Sequence, residues 1–151
     1  MGTSPKGTSI STDENNVEFH QGKICFSDKY LLKGNQFTSE VTKIAPANSV
    51  LLCVRAPVGE VNITQREICI GRGLSSIIPL CEIKSEFLYY WIKAFKQSLE
   101  AKATGTTFIA ITTDVVKDLL IPLPPINEQV RIVDILNKYN NTLETIEASL
   151  N

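Results

Sequence analysis

Apolar positions change rhythm three times along this chain. They run without a break from Val50 to Val54 and return, interleaved with polar residues, from Val58 to Ile63. Short β-branched and apolar runs of this kind predict strands, split here by Ala56-Pro57 and Gly59. EICIG, from Glu67, alternates apolar and polar, and LSSIIPL, from Leu74, is a further extended run. Gly71 and Gly73 flank Arg72 and predict a tight bend or bulge. KICF, Lys23 to Phe26, reads as one more short strand, and Asp28 to Phe37 as a turn-rich connection. The first 20 residues are polar and rich in Gly, Ser, Thr and Asn, and GTSPKGTSIST reads as loop.

At Ser85 the period switches. Leu88, Trp91, Ile92, Phe95 and Leu99 recur at helical spacing, so they predict one core-facing helix over about 84–103. Ser85 is its expected N-cap, and Gly105 lies just past its end. Phe108 to Ile111 could form a short strand, and Thr113 or Asp114 could cap a short helix through Leu119. IPLPP is held extended by its prolines.

The third rhythm follows the prolines. Ile132, Leu136, Tyr139, Leu143, Ile146 and Leu150 are separated by steps of 4, 3, 4, 3 and 4. That is a heptad seam of the coiled-coil type. Asn127 is placed to cap the helix and Glu128 suits its first turn. Six such side chains left in water would forgo on the order of 10 kcal/mol. The seam therefore calls for a partner, either the strand body or a helix from another chain. Helix for 25 residues runs roughly 37 Å, so part of it should project. Strands early and helices late predict an α+β fold. The division expected is a strand-rich domain with a packed helix over residues 1–122 and a helical arm over 123–151.

Composition narrows the class. The chain has 151 residues, is 43% hydrophobic and 21% charged, and so suits one globular domain. No apolar run approaches a membrane span and no secretory signal is visible, so a cytoplasmic location is expected. Cys25, Cys53, Cys69 and Cys81 form no CxxC pair, and His20 is the only histidine. That spacing argues for small apolar residues in strands rather than a zinc site. Residues 1–112 carry 12 Lys and Arg against 10 Asp and Glu, whereas residues 113–151 carry 3 against 6. A basic face on the body is permitted by this distribution, not demonstrated. No nucleophile–base pair, GxGxxG or phosphate loop is present, so neither catalysis nor a cofactor is expected.

Four stretches, in order, resemble one half of the specificity subunit of type I restriction–modification systems. They are GTSPKGTS at Gly2, NSVLLCVRAPVGEVNIT at Asn48, ICIGRGLSSI at Ile68, and TGTTFIAITTDVVKDLLIPLPPINEQVRIVDIL at Thr104. The last is the most specific. This resemblance implies a target recognition domain followed by a helical spacer. It implies that each domain reads half of a bipartite double-stranded DNA target without doing chemistry. Methyltransferase subunits and a translocating endonuclease subunit are the implied partners. Only one domain and one spacer are present, and Met1 directly precedes the opening loop, so a fragment or half-subunit is expected. Such a half-subunit could pair with a second copy through its seam.

DNA reading needs cations and hydroxyls on phosphates and a few side chains on base edges. Arg55, Arg66 and Arg72, each at a loop or glycine break, lead the candidates. For each, a surface ion pair, with Glu60 or Glu67 for instance, is the competing reading. Lys6 and Thr8 on the opening loop follow, against the alternative of a loose terminus. Thr106 and Thr107 are weighed against helix-stop chemistry, and Lys23, Lys29 and Tyr30 complete the set. The rival reading is a non-catalytic interaction module dimerising through the heptad helix. Clustering of Arg55, Arg66, Arg72 and Lys6 would favour DNA; scatter among carboxylates would favour the module.

Overall fold

The computed structural model describes residues 1–105 and 109–150. Its strands are β1 (Ile10–Ser11), β2 (Val17–His20), β3 (Phe37–Thr38), β4 (Ile44–Ala45), β5 (Val50–Cys53), β6 (Val61–Ile63), β7 (Ile68–Ile70) and β8 (Leu74–Ile77). Its helices are α1 (Ser85–Ala94), α2 (Lys96–Ala101), α3 (Thr113–Lys117) and α4 (Ile126–Leu150). Strands come first and helices follow, which is the α+β order.

β5 organises the molecule. It lies between β6 and β8 in a three-stranded antiparallel sheet, with Leu51 opposite both Asn62 and Ser76. Val50 and Leu52 join a core with Val61, Ile63, Phe87, Leu88 and Ile92. Leu51 and Cys53 join a second core with Leu31, Ala45, Ile68, Ile70 and Leu74. A strand buried on both faces must be apolar at every position, which is why VLLCV does not alternate. The second sheet runs β1-β3-β2-β7-β4. Within it β2 and β7 are parallel, with Phe19 opposite Cys69 and His20 opposite Ile70.

Several expectations change. GTSPKGTSIST is loop and a 3-10 turn as far as Ser9 but ends in β1, and β2 follows at Val17, where no strand was expected. Alternation in Val17-Glu18-Phe19-His20 hid the strand because its polar half, Glu18 and His20, is buried too. The opening loop is tied down: the Gly2 and Thr3 N–H groups donate to the carbonyls of Leu74 (2.8 Å) and Ile70 (3.1 Å). A Cβ at Gly2 would stand 2.4 Å from the Gly71 carbonyl oxygen, so only glycine permits this approach. KICF is a 3-10 turn over Lys23–Cys25, not a strand.

The expected helix over 84–103 is two helices, broken at Phe95. Leu88, Ile92 and Leu99 are buried as expected, whereas Phe95 is exposed and stacks on half-buried Trp91 at 4.5 Å. Ser85 opens α1 without capping it, because its hydroxyl donates to the Asn48 carbonyl (2.7 Å). Thr112, one residue earlier than expected, caps α3 by accepting the Val115 N–H (3.3 Å). Asn127 lies inside α4. Of the proposed strand from Phe108, Phe108 lies outside the described residues; Ala110 forms single bridges to Arg55 and Thr104. All four thiols are free, but only Cys53 and Cys69 sit in strands, and Cys81 is exposed in a turn.

α4 does two things along its length. Its first half packs on the body: Val133 enters the main core, with Ile132 and Leu136 partly buried against it. Gln129 accepts the Lys84 N–H (3.0 Å) and donates to the Pro124 carbonyl (3.0 Å). The Asn137 side-chain oxygen accepts from Lys29 and from the Tyr90 hydroxyl (2.6 Å), and Asn140 donates to Tyr90 (3.0 Å). Beyond this stripe Tyr139, Leu143, Ile146 and Leu150 are exposed. The prolines therefore do not detach the helix. Docking uses Gln129, Val133, Asn137 and Asn140, polar or off the heptad, together with the seam residues Ile132 and Leu136, so the seam revealed only part of it.

Candidate nucleic-acid interface

The exit of β2, the bend between β7 and β8, the Lys23–Cys25 turn and the β5–β6 turn meet at one cleft. Gln21, Lys23, Cys53, Arg55, Ala56, Pro57 and Gly73 line it. Close backbone packing makes it possible. A Cβ at Gly73 would sit 2.1 Å from the Gln21 carbonyl oxygen, so the IGRG bend must carry glycine there to lie against the β2 exit. Arg72 is held beside it, its N–H donating to the Ser4 hydroxyl (3.2 Å), which also faces the Gln21 amide oxygen at 3.4 Å. Two residues further along the opening loop, Lys6 heads a 3-10 turn that exposes Thr8.

Charge at this cleft is lightly compensated. Arg55, Arg72 and Lys6 have no ion pair among the described residues. Lys23 lies 3.6 Å from Glu60, which Lys96 holds more closely at 2.9 Å. Guanidinium groups on a rim of this sort can fork onto phosphate or guanine, and the Gln21 amide can pair with adenine.

The remaining candidates go elsewhere. Arg66 donates through Nε and Nη2 to both carboxylate oxygens of Glu18, each at 2.6 Å. It also donates to the carbonyls of Leu31 (3.1 Å) and Leu32 (2.9 Å). Its ion-pair partner is thus Glu18 rather than Glu60 or Glu67, and it braces the 31–34 loop against β2. Glu18 further accepts the Gly34 N–H (2.6 Å) and the His20 Nε2–H (2.7 Å). Burial works to raise the Glu18 carboxyl, but the bonds from Arg66, Gly34 and His20 outweigh it and hold the group down to about 2. His20 is pushed below its ordinary value by burial, against the pull of Glu18, so a neutral ring donates. Lys29 and Tyr30 both bond Glu86 (2.9 and 2.8 Å) at the joint with α4. Thr106 and Thr107 lie outside the described residues.

Two participants escaped the sequence reading. Gln21 reaches the cleft only because the exit of β2 packs against the bend at Gly73. Ile24, next to the cleft-lining Lys23, is 96% exposed. Continuing the alternation of β2 one residue further would have flagged Gln21.

Two sheets, short helices and a long trailing helix, with a carboxylate-poor cleft between turns, define an α+β domain with a helical extension. Residues 7–151 match the family model described as the type I restriction modification DNA specificity domain, and the chain belongs to that family. It is 35% identical over 145 residues to a putative type I restriction enzyme MjaX specificity subunit of Methanocaldococcus jannaschii, covering 95% of this chain and 34% of that one. The HsdS subunit of Thermoanaerobacter tengcongensis superposes with a TM-score of 0.87 at 32% identity, over 99% of this chain and 36% of that subunit. A chain from a structure of type I R-M complex assembly and conformational transition gives 0.88 at 33%, over 99% and 37%. The chain therefore spans about a third of the length of these relatives.

Proposed function

We propose that this chain reads one half of a bipartite double-stranded DNA target within a type I restriction–modification specificity subunit. In this reading residues 1–122 recognise DNA and residues 123–151 form the spacer, although its first half is fused to the body. The chain is not an enzyme; methyltransferase and endonuclease/translocase subunits assemble around it in the cytoplasm. No described helix is long and apolar enough to cross a membrane. The observation that carries the proposal is the cleft where Arg55 and Lys23 meet Gln21, with Arg72 on the adjoining bend and one nearby carboxylate, Glu60, shared between two lysines. Selection of bound duplexes from a random pool is the test. It is expected to return one defined motif; recovery of an unenriched pool would overturn the reading.

The exposed end of α4 points to a second element of the same proposal. Tyr139, Leu143, Ile146 and Leu150 are the exposed part of the heptad, and a second copy of α4 would cover them. Two copies related by a two-fold axis would read an inverted repeat. Leu143→Glu combined with Ile146→Glu is expected to weaken self-association at least about 100-fold, since each buried apolar side chain contributes roughly 1.5–3 kcal/mol. Sedimentation equilibrium over a wide concentration range measures it. A wild-type chain that stays monomeric at high concentration would sink the self-pairing.

A further inference from the structure

Ile24 is an apolar side chain on a tip built to stay still. The Lys23–Cys25 turn closes with the Phe26 N–H donating to the Lys23 carbonyl (2.8 Å). The Leu32 N–H donates to the Cys25 carbonyl (2.9 Å), and Arg66 grips the carbonyls of Leu31 and Leu32 in turn. Cys25 and Phe26 pack beneath against the second core, and the chain on the other side is wedged where Gln21 meets Gly73. Both flanks of Ile24 are therefore anchored, and its branched Cβ stiffens χ1. Yet 96% of its surface is open. Ordering such a group on binding costs little entropy.

Its surroundings decide what it could meet. Lys23, the preceding residue, lines the cleft with Arg55 and Gln21. Cations there would hold phosphates and fix register. An isoleucine has no donor or acceptor and cannot hold a phosphate. The apolar feature that the major groove presents on a base edge is the C5-methyl of thymine.

We infer that Ile24 is a specificity-determining residue that reads one thymine through apolar contact with its C5-methyl group. This rests on the DNA-reading proposal above and adds a residue and a base to it. The test uses the full chain, the motif selected by wild type, and Ile24→Ser. At 96% exposure the substitution leaves the melting temperature unchanged, so loss of fold does not confuse the result. Discrimination at one thymine position is expected to fall about 10-fold, the lower end of what one base pair usually contributes. Affinity for unselected DNA stays the same. Replacing that thymine by uracil should weaken wild type about equally and leave Ile24→Ser unaffected. Ile24→Ser selecting the wild-type motif with undiminished discrimination would overturn the inference, as would uracil weakening both proteins alike. If wild type itself selects no motif, the DNA-reading proposal fails and this one with it, which is a different result from failure of the variant alone.

Discussion

Arg66→Ala is expected to destabilise the domain by about 2–3 kcal/mol at pH 7, because it leaves a buried carboxylate without its charged partner, although the guanidinium itself is partly exposed. Glu18 is the side left behind. Its carboxylate is nearly buried and would lose two charge-assisted bonds. In the folded protein Glu18 is held near 2 against an ordinary value of 4.5 by Arg66, Gly34 and His20 acting together against burial. The pH signature follows from the sign. A carboxyl depressed on folding contributes stability that is fully present above 4.5 and is lost as the pH falls toward 2. His20, also depressed on folding, acts in the same direction from about 6.5 downward, because the unfolded chain takes the proton more readily. Without Arg66, burial dominates at Glu18 and its pKa rises, so the variant's deficit should shrink on acidification. Urea unfolding at pH 7 and pH 4 measures both effects. A deficit below 1 kcal/mol at pH 7, or one that does not change with pH, would refute the strut. Arg66→Lys should fall between, since an ammonium keeps the charge and loses the fork.

DNA affinity should fall about 100-fold between 50 and 200 mM salt. Each phosphate neutralised contributes roughly −0.9 to the slope of log affinity against log salt. Lys23, Arg55 and Arg72 at the cleft and on its adjoining bend, with Lys6 on the opening loop, are the candidate cations with no close ion pair of their own. Four contacts give a slope of about −3.6, and a fourfold rise in salt then costs about two orders of magnitude. Changing Lys23, Arg55 and Arg72 together to Gln should flatten the slope to about −1. Lys29→Gln should leave it unchanged, because that ammonium is already engaged by Glu86 and Asn137. Filter binding or fluorescence anisotropy across a salt series reads all three. A wild-type slope near zero would remove the electrostatic basis of the proposal and favour an interaction module.

How much could be read beforehand depended on how far apart the partners lie. The β5 run and the heptad residues announce themselves because their neighbours in sequence set their environment. Arg55 and Arg72 stood out because Pro57 and the flanking glycines mark turns. Glu18 and Arg66 did not stand out as a pair, being 48 positions apart and joined only when β2 and the 63–67 turn come together. A buried Glu and His also look, in sequence, like the solvent-facing half of an ordinary alternating strand. Ile24 misled in the opposite sense: KICF has strand composition, but Gly22 and the Arg66 brace turn it into a tip. Gln129, Asn137 and Asn140 resemble ordinary surface polar residues, and only their partners Lys84, Lys29 and Tyr90 make them a docking stripe.

That stripe and the exposed seam run along different sides of one unbroken helix. At about 100° per residue, Gln129, Val133, Asn137 and Asn140 centre roughly a quarter turn from Leu143, Ile146 and Leu150. The helix is thus keyed at one end and presents its seam at a set rotational phase at the other. One residue inserted after Asn141 would swing everything beyond it by about 100° and offer a partner the polar flank. Seven would return the seam to within about 20° and carry it about 10 Å outward. Length can change in this arm only in steps that preserve its angle.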